Sequence, residues 1–312
     1  MKKVLLSMAA LMVCAVSVMA DDCPTPGTAT ATVTLKRCVS GTGAFTVASG
    51  KQVTFATGNL QYKATGTGTV DDPKWRFAEN QYDYVGNAAG NTSPSSSQSN
   101  WIDLFGWATS GITSPKDNTY ANPWNTSNTG NNDYAKYGSG ITTANVNWSD
   151  NSNAFANYDW GKNTIYNNGA LDVAAWRTLT NAEWGYLFNT RDNAANLRTL
   201  ATVCNVPGML ILPDGWTASD VSLSITTADY TTNNLDATAW ESLECDGAVF
   251  LPAAGFRFGR TVNNAGSYGL YWSSTSYSST SACRLYFFAG GLNPQEYHCR
   301  CYGHSVRLVQ DL

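Results

Sequence analysis

The sequence predicts an α+β fold in which short strands, two helices and long ordered loops form one large domain. Residues 51–57 (KQVTFAT) alternate polar and apolar side chains, as a half-buried strand does. The segment TNAE at 180–183 is a capping box, which predicts a helix over residues 181–190. Residues 86–170 are rich in Asn, Ser, Gly and Thr but carry five tryptophans, which favours ordered loops held by aromatic side chains.

Further elements follow from the same patterns. The other predicted strands before the C-terminal tail are residues 59–63, 75–78, 209–212 and 248–251. The first two of these are expected to pair with the strand at 51–57. A second short helix is expected at 239–243, and the tail from 269 to 309 is expected to form short strands separated by Gly and Asn-Pro turns.

The N-terminus has the three-part pattern of a secretory signal peptide. Lys2 and Lys3 precede an apolar stretch that ends in Val-Met-Ala at 18–20. We therefore predict a signal peptide at 1–20, an N-terminal arm or short strand segment at 21–49, and a ligand-binding domain at 50–312. The mature protein is expected to be exported, to the periplasm, the cell surface or the medium, with no membrane span after cleavage.

The charge balance excludes some classes of partner. The chain has 19 Lys and Arg against 23 Asp and Glu, and loss of Lys2 and Lys3 with the signal peptide changes the net charge from −4 to −6. Nucleic acids and anionic membranes attract basic surfaces, so neither is an expected partner. Charged residues make up 13% and aromatic residues 12%, a composition typical of an ordered protein.

The cysteines give no metal or cofactor site. Seven remain after residue 20, an odd number, and none forms a C-x-x-C pair. Cys299 and Cys301 are spaced too closely for an ordinary disulfide between them. A zinc cluster would need two well-spaced ligand pairs, whereas the chain has two histidines, His298 and His304. We therefore predict no metal and no cofactor.

Three segments resemble formylglycine-generating-enzyme-like domains, the sulfatase-modifying-factor branch of the C-type lectin fold. They are RTLTNAEW at 177–184, YWSST at 271–275 and GHSVRLV at 303–309, which is similar to the closing strand of that family with inserted residues. The resemblance implies a C-type lectin fold from about residue 50. It also implies that the strand near Val53 lies beside the C-terminal strand near Val306.

Three further segments resemble exported Bacteroidetes proteins of the Fibrobacter major paralogous domain type. They are GNLQY at 58–62, WRFAENQYD at 75–83 and IDLFGWATSG at 102–111. This likeness covers about residues 50–312.

Departures from these families argue against catalysis. The enzyme branch binds copper through two cysteines five residues apart, but here Phe288 stands five residues after Cys283. Calcium-dependent lectins bind the ion through an E-P-N or Q-P-D loop and a later W-N-D motif. In this chain, Asn293-Pro294-Gln295 resembles that loop only weakly. The chain has no G-x-S-x-G and no phosphate-binding loop. We therefore predict that it is not an enzyme and has no catalytic residues.

The C-terminal stretch has an unusual choice of residues. Tyr, His, Arg, Ser and Cys stand where a core would use Val or Leu and a solvated face would use Lys or Glu, as in paratopes. This resembles the variable region of proteins diversified by retroelements, where NNC codons encode these types but never Gln or Glu. Gln295 and Glu296 would then be fixed. The predicted ligand-binding residues are Tyr277, Ser279, Ser281, Cys283, Arg284, Tyr286, Phe288, Tyr297, His298, Cys299, Cys301 and His304.

Strand alternation predicts where these side chains point. Leu285 and Phe287 should face the core, while Arg284, Tyr286 and Phe288 should face outward. The predicted inward residues of the neighbouring segments are Trp272, Val306 and Leu308, with Arg307 on the opposite side. The predicted ligand-binding residues should then be largely exposed and should gather on one surface.

The leading hypothesis is an exported, noncatalytic protein that binds an unknown protein or glycan through this variable C-terminal surface. A structural or adhesive cell-surface subunit, assembled through residues 21–49, remains an alternative. An oxidase of the formylglycine-generating type is a third class, which would require a bound metal.

Overall fold

The computed structural model describes residues 43–92, 94–111, 137–138, 140–149, 155–173, 175–217 and 220–312. The predicted signal peptide, most of the predicted arm and Trp124 lie outside the described residues. The described part is a mixed α+β structure dominated by strands, with several small sheets, which confirms the predicted class at that level.

Seventeen strands and three α-helices are present in the described ranges. The strands are β1 (Phe45–Ala48), β2 (Lys51–Phe55), β3 (Leu60–Tyr62), β4 (Trp75–Phe77), β5 (Thr164–Asn167), β6 (Ala170–Val173), β7 (Arg177–Thr178), β8 (Arg198–Val203), β9 (Val206–Ile211), β10 (Asn234–Leu235), β11 (Val249–Pro252), β12 (Phe256–Phe258), β13 (Thr261–Asn263), β14 (Tyr268–Ser276), β15 (Ser281–Phe288), β16 (Gly291–Cys299) and β17 (Leu308–Asp311). The helices are α1 (Ala89–Thr92), α2 (Asn181–Asn189) and α3 (Ala237–Cys245). None of the described helices is long and apolar enough to cross a membrane.

The strands form five small sheets. Their orders are β1-β2-β17-β7, β3-β4-β5-β6, β10-β8-β9-β11, β12-β13 and β14-β15-β16. The first sheet joins the beginning and the end of the described chain, because Val53 pairs with Asp311 and Phe55 with Val309. The expected proximity of the N-terminal and C-terminal strands is therefore confirmed. Residues 45–48, which we had placed in the arm, form β1 and pair with β2.

The expected partners of the strand at 51–57 are wrong. Residues 60–62 and 75–77 form β3 and β4, which pair with each other in a separate sheet. Next to the first sheet, the Leu60 N–H donates to the carbonyl of Val306, which lies just before β17, over 2.9 Å. Alternation in the sequence identifies strands, but the partner is set by tertiary packing.

Helix α2 begins as the sequence predicts. The Thr180 hydroxyl accepts from the Glu183 N–H over 3.1 Å, and the Glu183 carboxylate accepts from the Thr180 N–H over 2.8 Å. Arg177 holds that carboxylate with two further bonds of 2.8 and 2.9 Å. Helix α3 coincides with the second predicted helix, and the Asp236 side chain caps it by accepting from the Ala239 N–H.

Buried tryptophans pack together in the hydrophobic core that lies against the loops of residues 86–170. Trp107, Trp148 and Trp160 are fully buried, and their rings form a chain with centroids 5.6 and 5.2 Å apart. Trp272 joins the same cluster, as predicted, at 1% exposure. In the described parts of residues 86–170, aromatic side chains therefore hold the loops in place, which agrees with the prediction for that region.

Candidate ligand-binding site

The site is built on the sheet β14-β15-β16, whose two faces have different surroundings. Leu285 and Phe287 point from β15 into a core shared with helix α2, and both have no exposed surface. Tyr286 and Phe288 lie on the other face and are half-buried. The alternation predicted for β15 is confirmed for these four residues.

The expectation of one exposed surface is not met. Register places Tyr297 opposite Cys283 on one face, and Glu296 opposite Arg284 on the other. Four of the predicted ligand-binding residues are buried, which corrects the sequence expectation of exposure. They are Cys283 (4% exposed), Arg284 (6%), Cys301 (4%) and His304 (0%). Arg307, expected opposite the core-facing Val306 and Leu308, is also buried.

The remaining predicted residues are accessible to different degrees. Tyr277, Ser279 and Tyr297 are exposed, while the half-buried members are Ser281, Tyr286, Phe288, His298 and Cys299. Tyr277 and Tyr297 stack face to face, with ring centroids 3.6 Å apart and planes inclined by 5°. This tyrosine pair lies on the face of Cys283, away from Tyr286 and Phe288.

A group of seven half-buried rings covers the other face, and we call it the aromatic patch. Its members are Phe256, Phe258, Tyr268, Tyr286, Phe288, His298 and Tyr302. At one end, Tyr268, Tyr286 and Phe288 form a triangle with centroid separations of 5.1 to 5.7 Å. At the other end, Tyr302 contacts Phe258 at 4.8 Å and His298 at 4.3 Å.

Arg284 joins the two ends of the aromatic patch. Its guanidinium lies 5.3 Å from the Tyr286 ring, donates from Nε to the Glu296 carboxylate, and donates from Nη1 to His304 Nε2 over 2.8 Å. The Arg284–Glu296 pair explains why a cation is tolerated at 6% exposure. Burial lowers the pKa of Arg284, and the Glu296 charge opposes that shift.

Both histidines are neutral at pH 7. Burial, reinforced by the Arg284 charge, lowers the pKa of His298 to about 4 and that of His304 well below its usual value. Because His304 Nε2 accepts from Arg284, the His304 proton resides on Nδ1. With Arg284 balanced by Glu296 and both imidazoles uncharged, the aromatic patch offers rings and hydrogen bonds rather than net charge. That chemistry suits an uncharged ligand surface.

Four members of the aromatic patch were missed from the sequence: Phe256, Phe258, Tyr268 and Tyr302. The F-R-F alternation at 256–258 was a usable signal, because it places both phenylalanines on one face of a strand. Tyr302 lies in the unusual C-terminal stretch, between the predicted ligand-binding residues Cys301 and His304. The structure joins these segments because the Arg257 N–H donates to the Gly303 carbonyl, and the Gly303 N–H donates to the Arg257 carbonyl.

The described residues contain no group of three or more His, Cys, Asp or Glu side chains arranged to hold a metal ion. A family model described as a domain of unknown function (DUF8237) matches residues 220–309, a span that contains the sheet β14-β15-β16 and the aromatic patch. The search of curated proteins and the search of solved structures returned no match to the chain.

Proposed function

We propose that this chain is an exported, noncatalytic ligand-binding protein, and that the aromatic patch is its binding surface. The proposal is carried by one observation: seven half-buried rings from four separate segments gather beside the sheet β14-β15-β16. An aromatic surface of this kind is unfavourable in water unless a partner covers it. Aromatic side chains also bind with little loss of conformational entropy, since they have few rotatable bonds.

The contacts beneath and across the aromatic patch support a binding role. Trp272 lies beneath it, contacts the His304 ring with centroids 4.2 Å apart and planes inclined by 48°, and donates from its indole to the Phe105 carbonyl over 2.7 Å. The Arg284–Glu296 pair ties β15 to β16 across the middle of the patch. A surface held in this way is preorganised, so binding costs less ordering entropy.

Within this proposal the fold is a C-type lectin domain of the formylglycine-generating type. Supporting features are the pairing of β2 with β17, the helix start at 177–184 and the buried strand at 271–275. An experimental structure that fails to superpose on that family over these segments would reject this assignment. The oxidase alternative gains no support, since Phe288 stands where the copper-binding enzymes carry their second cysteine.

We also propose that the accessible members of the C-terminal stretch were diversified by a retroelement. Tyr286, Phe288, His298 and Tyr302 lie in the aromatic patch, and each is a residue type that an NNC codon can encode. The coding DNA tests this origin. NNC codons at these positions and a nearby reverse-transcriptase gene are expected. Codons with mixed third bases would reject diversification by a retroelement and leave only the proposed binding role.

The binding role is tested with the double variant Tyr286→Ala, Phe288→Ala. Wild-type protein is first screened on a glycan array and against a displayed library of extracellular protein domains. We expect the double variant to bind the selected ligand at least about tenfold more weakly, because aromatic side chains buried by a ligand are each worth roughly 1 to 2 kcal/mol. Binding is measured by surface plasmon resonance, and folding by thermal unfolding.

The matched control is Tyr297→Ala, which removes a more exposed ring from the opposite face of the same sheet. Its affinity should stay within about threefold of wild type, since a ring on the opposite face does not contact a ligand bound to the aromatic patch. Equal losses in both variants, or unchanged affinity in the double variant, would refute the aromatic patch as the binding surface. Failure to select any ligand would count against the binding role itself.

A further inference from the structure

Two cysteines at the end of β16 lie unusually close together. Cys299 is the last residue of the strand, and Cys301 lies in the turn that begins at Arg300. Their Sγ atoms are 2.6 Å apart, and the Cys301 N–H lies 3.4 Å from Cys299 Sγ. Residues two apart in a regular strand are separated by two rises of about 3.3 Å, so the turn itself brings the two sulfurs together.

The turn is held in this shape by the residue between the two cysteines. Arg300 has no exposed surface, and its Nη1 donates to the Tyr137 and Ile141 carbonyls over 3.1 and 3.0 Å. Its guanidinium also lies 4.6 Å from the Trp107 ring. The Tyr302 N–H closes the turn by donating to the Cys299 carbonyl over 3.2 Å. Because Arg300 is anchored, the two sulfurs are kept in proximity.

We propose that Cys299 and Cys301 form a reversible disulfide, so that this turn is a redox modification site. From the sequence alone, two cysteines with one residue between them are expected to be too close for an ordinary disulfide, but in the structure the turn with its anchored central residue places their sulfurs 2.6 Å apart. The proposal does not depend on the identity of any ligand. It adds a covalent site beside the aromatic patch, because Tyr302, a member of the patch, directly follows Cys301.

The reaction is thiol–disulfide exchange, with a low-molecular-weight disulfide such as oxidised glutathione as the oxidant. Cys299 is half-buried and meets the oxidant first. Its thiolate attacks one sulfur of the oxidant, which forms a mixed disulfide and releases one glutathione thiol. The Cys301 thiol then loses its proton, attacks Cys299 Sγ and expels the second glutathione thiol. Two protein thiols are oxidised and one glutathione disulfide is reduced to two thiols.

Peptide mapping of the full chain tests the proposal directly. Folded protein is equilibrated with oxidised glutathione or with dithiothreitol, quenched in acid, alkylated in denaturant and digested with trypsin. Cleavage after Arg284, Arg300 and Arg307 separates the cysteines, giving peptides 285–300 and 301–307 with one cysteine each. We expect these two peptides to remain linked after the glutathione treatment, and to be separate and alkylated after dithiothreitol.

Internal controls come from the same digest. Cys283 falls in a third peptide that ends at Arg284, so a linkage to it is recognised by mass. In the Cys299→Ser variant, peptide 301–307 should be recovered alkylated after glutathione treatment, which shows that Cys301 has no other partner. If peptides 285–300 and 301–307 are each alkylated in the oxidised wild type, or are linked to a different cysteine peptide, the proposal is overturned. Far-ultraviolet circular dichroism before quenching confirms that the chain was folded.

Discussion

Replacement of Arg307 by methionine is expected to lower the free energy of unfolding by about 3 to 5 kcal/mol, because several buried acceptors lose their donor at roughly 1 to 3 kcal/mol each. Arg307 is 1% exposed, and its guanidinium donates to the Phe250 carbonyl over 2.8 Å, to the Ala56 carbonyl over 3.0 Å and to Asn59 Oδ1 over 3.1 Å. Methionine fills similar space but leaves these acceptors buried without donors. Urea unfolding followed by circular dichroism measures the loss.

The position of Arg307 explains the size of this effect. It stands just before β17 and links three parts of the chain: the end of β2, the β4 region and β11. Burial lowers the pKa of Arg307 to about 10, so the side chain still carries its charge at pH 7. The charge is solvated by carbonyl and amide oxygens instead of water.

Two further variants sharpen the Arg307 test. Arg307→Lys keeps the positive charge but loses the planar guanidinium with its several N–H donors. We therefore expect an intermediate loss of roughly 2 kcal/mol in the free energy of unfolding. Arg260→Met removes an exposed arginine and should change the free energy of unfolding by less than about 0.5 kcal/mol. A loss below about 1 kcal/mol for Arg307→Met would show that these hydrogen bonds are not a main source of stability.

Local signals in the sequence were the most reliable guide to the fold. Helix α2 was predicted because its capping box involves residues only three apart, Thr180 and Glu183. The inward direction of Leu285 and Phe287 followed from the period-two geometry of a strand. Neither inference requires knowledge of what the element packs against.

Inferences that depend on distant partners failed or were incomplete. Arg284 was expected outside because it alternates with Leu285, and it does lie on the outer face. It is nevertheless buried, because Glu296 from β16 and His304 from the next turn cover it. Tyr268 and Phe256 were not selected because their neighbours in the aromatic patch lie in other segments. Alternation gives the face of a side chain, whereas its exposure depends on tertiary structure.

The same reasoning applies to the cysteines. Spacing in the sequence suggested that Cys299 and Cys301, with one residue between them, were too close in the chain to form an ordinary disulfide. The structure ends β16 at Cys299, and the buried Arg300 side chain bends the chain so that the sulfurs meet. The sulfurs are brought together because Arg300 donates to the Tyr137 and Ile141 carbonyls. No local pattern near residues 299–301 reveals these distant acceptors.

Trp107 is expected to be the most sensitive aromatic residue of the core around the loops. Its ring has no exposed surface, its indole N–H donates to the Ser273 carbonyl over 2.8 Å, and Arg300 stacks on it. We expect Trp107→Ala to cost about 3 to 5 kcal/mol of unfolding free energy, as other large-to-small core changes do. Chemical unfolding followed by far-ultraviolet circular dichroism gives the value without relying on tryptophan fluorescence.

A phenylalanine at the same position separates volume from hydrogen bonding. Trp107→Phe keeps a ring under Arg300 but leaves the Ser273 carbonyl without its indole donor, so we expect a loss of roughly 1 to 2 kcal/mol. The control is Trp216→Ala, because Trp216 is half-buried beside a different core cluster. This substitution should lower the free energy of unfolding by less than Trp107→Ala does. If Trp107→Phe costs as much as Trp107→Ala, the indole hydrogen bond outweighs packing. If Trp107→Ala costs no more than Trp216→Ala, the assigned role of Trp107 is wrong.

Trp107 also supports Arg300, so Trp107→Ala should reduce the yield of the linked 285–300 and 301–307 peptides, whereas Trp216→Ala should leave it unchanged.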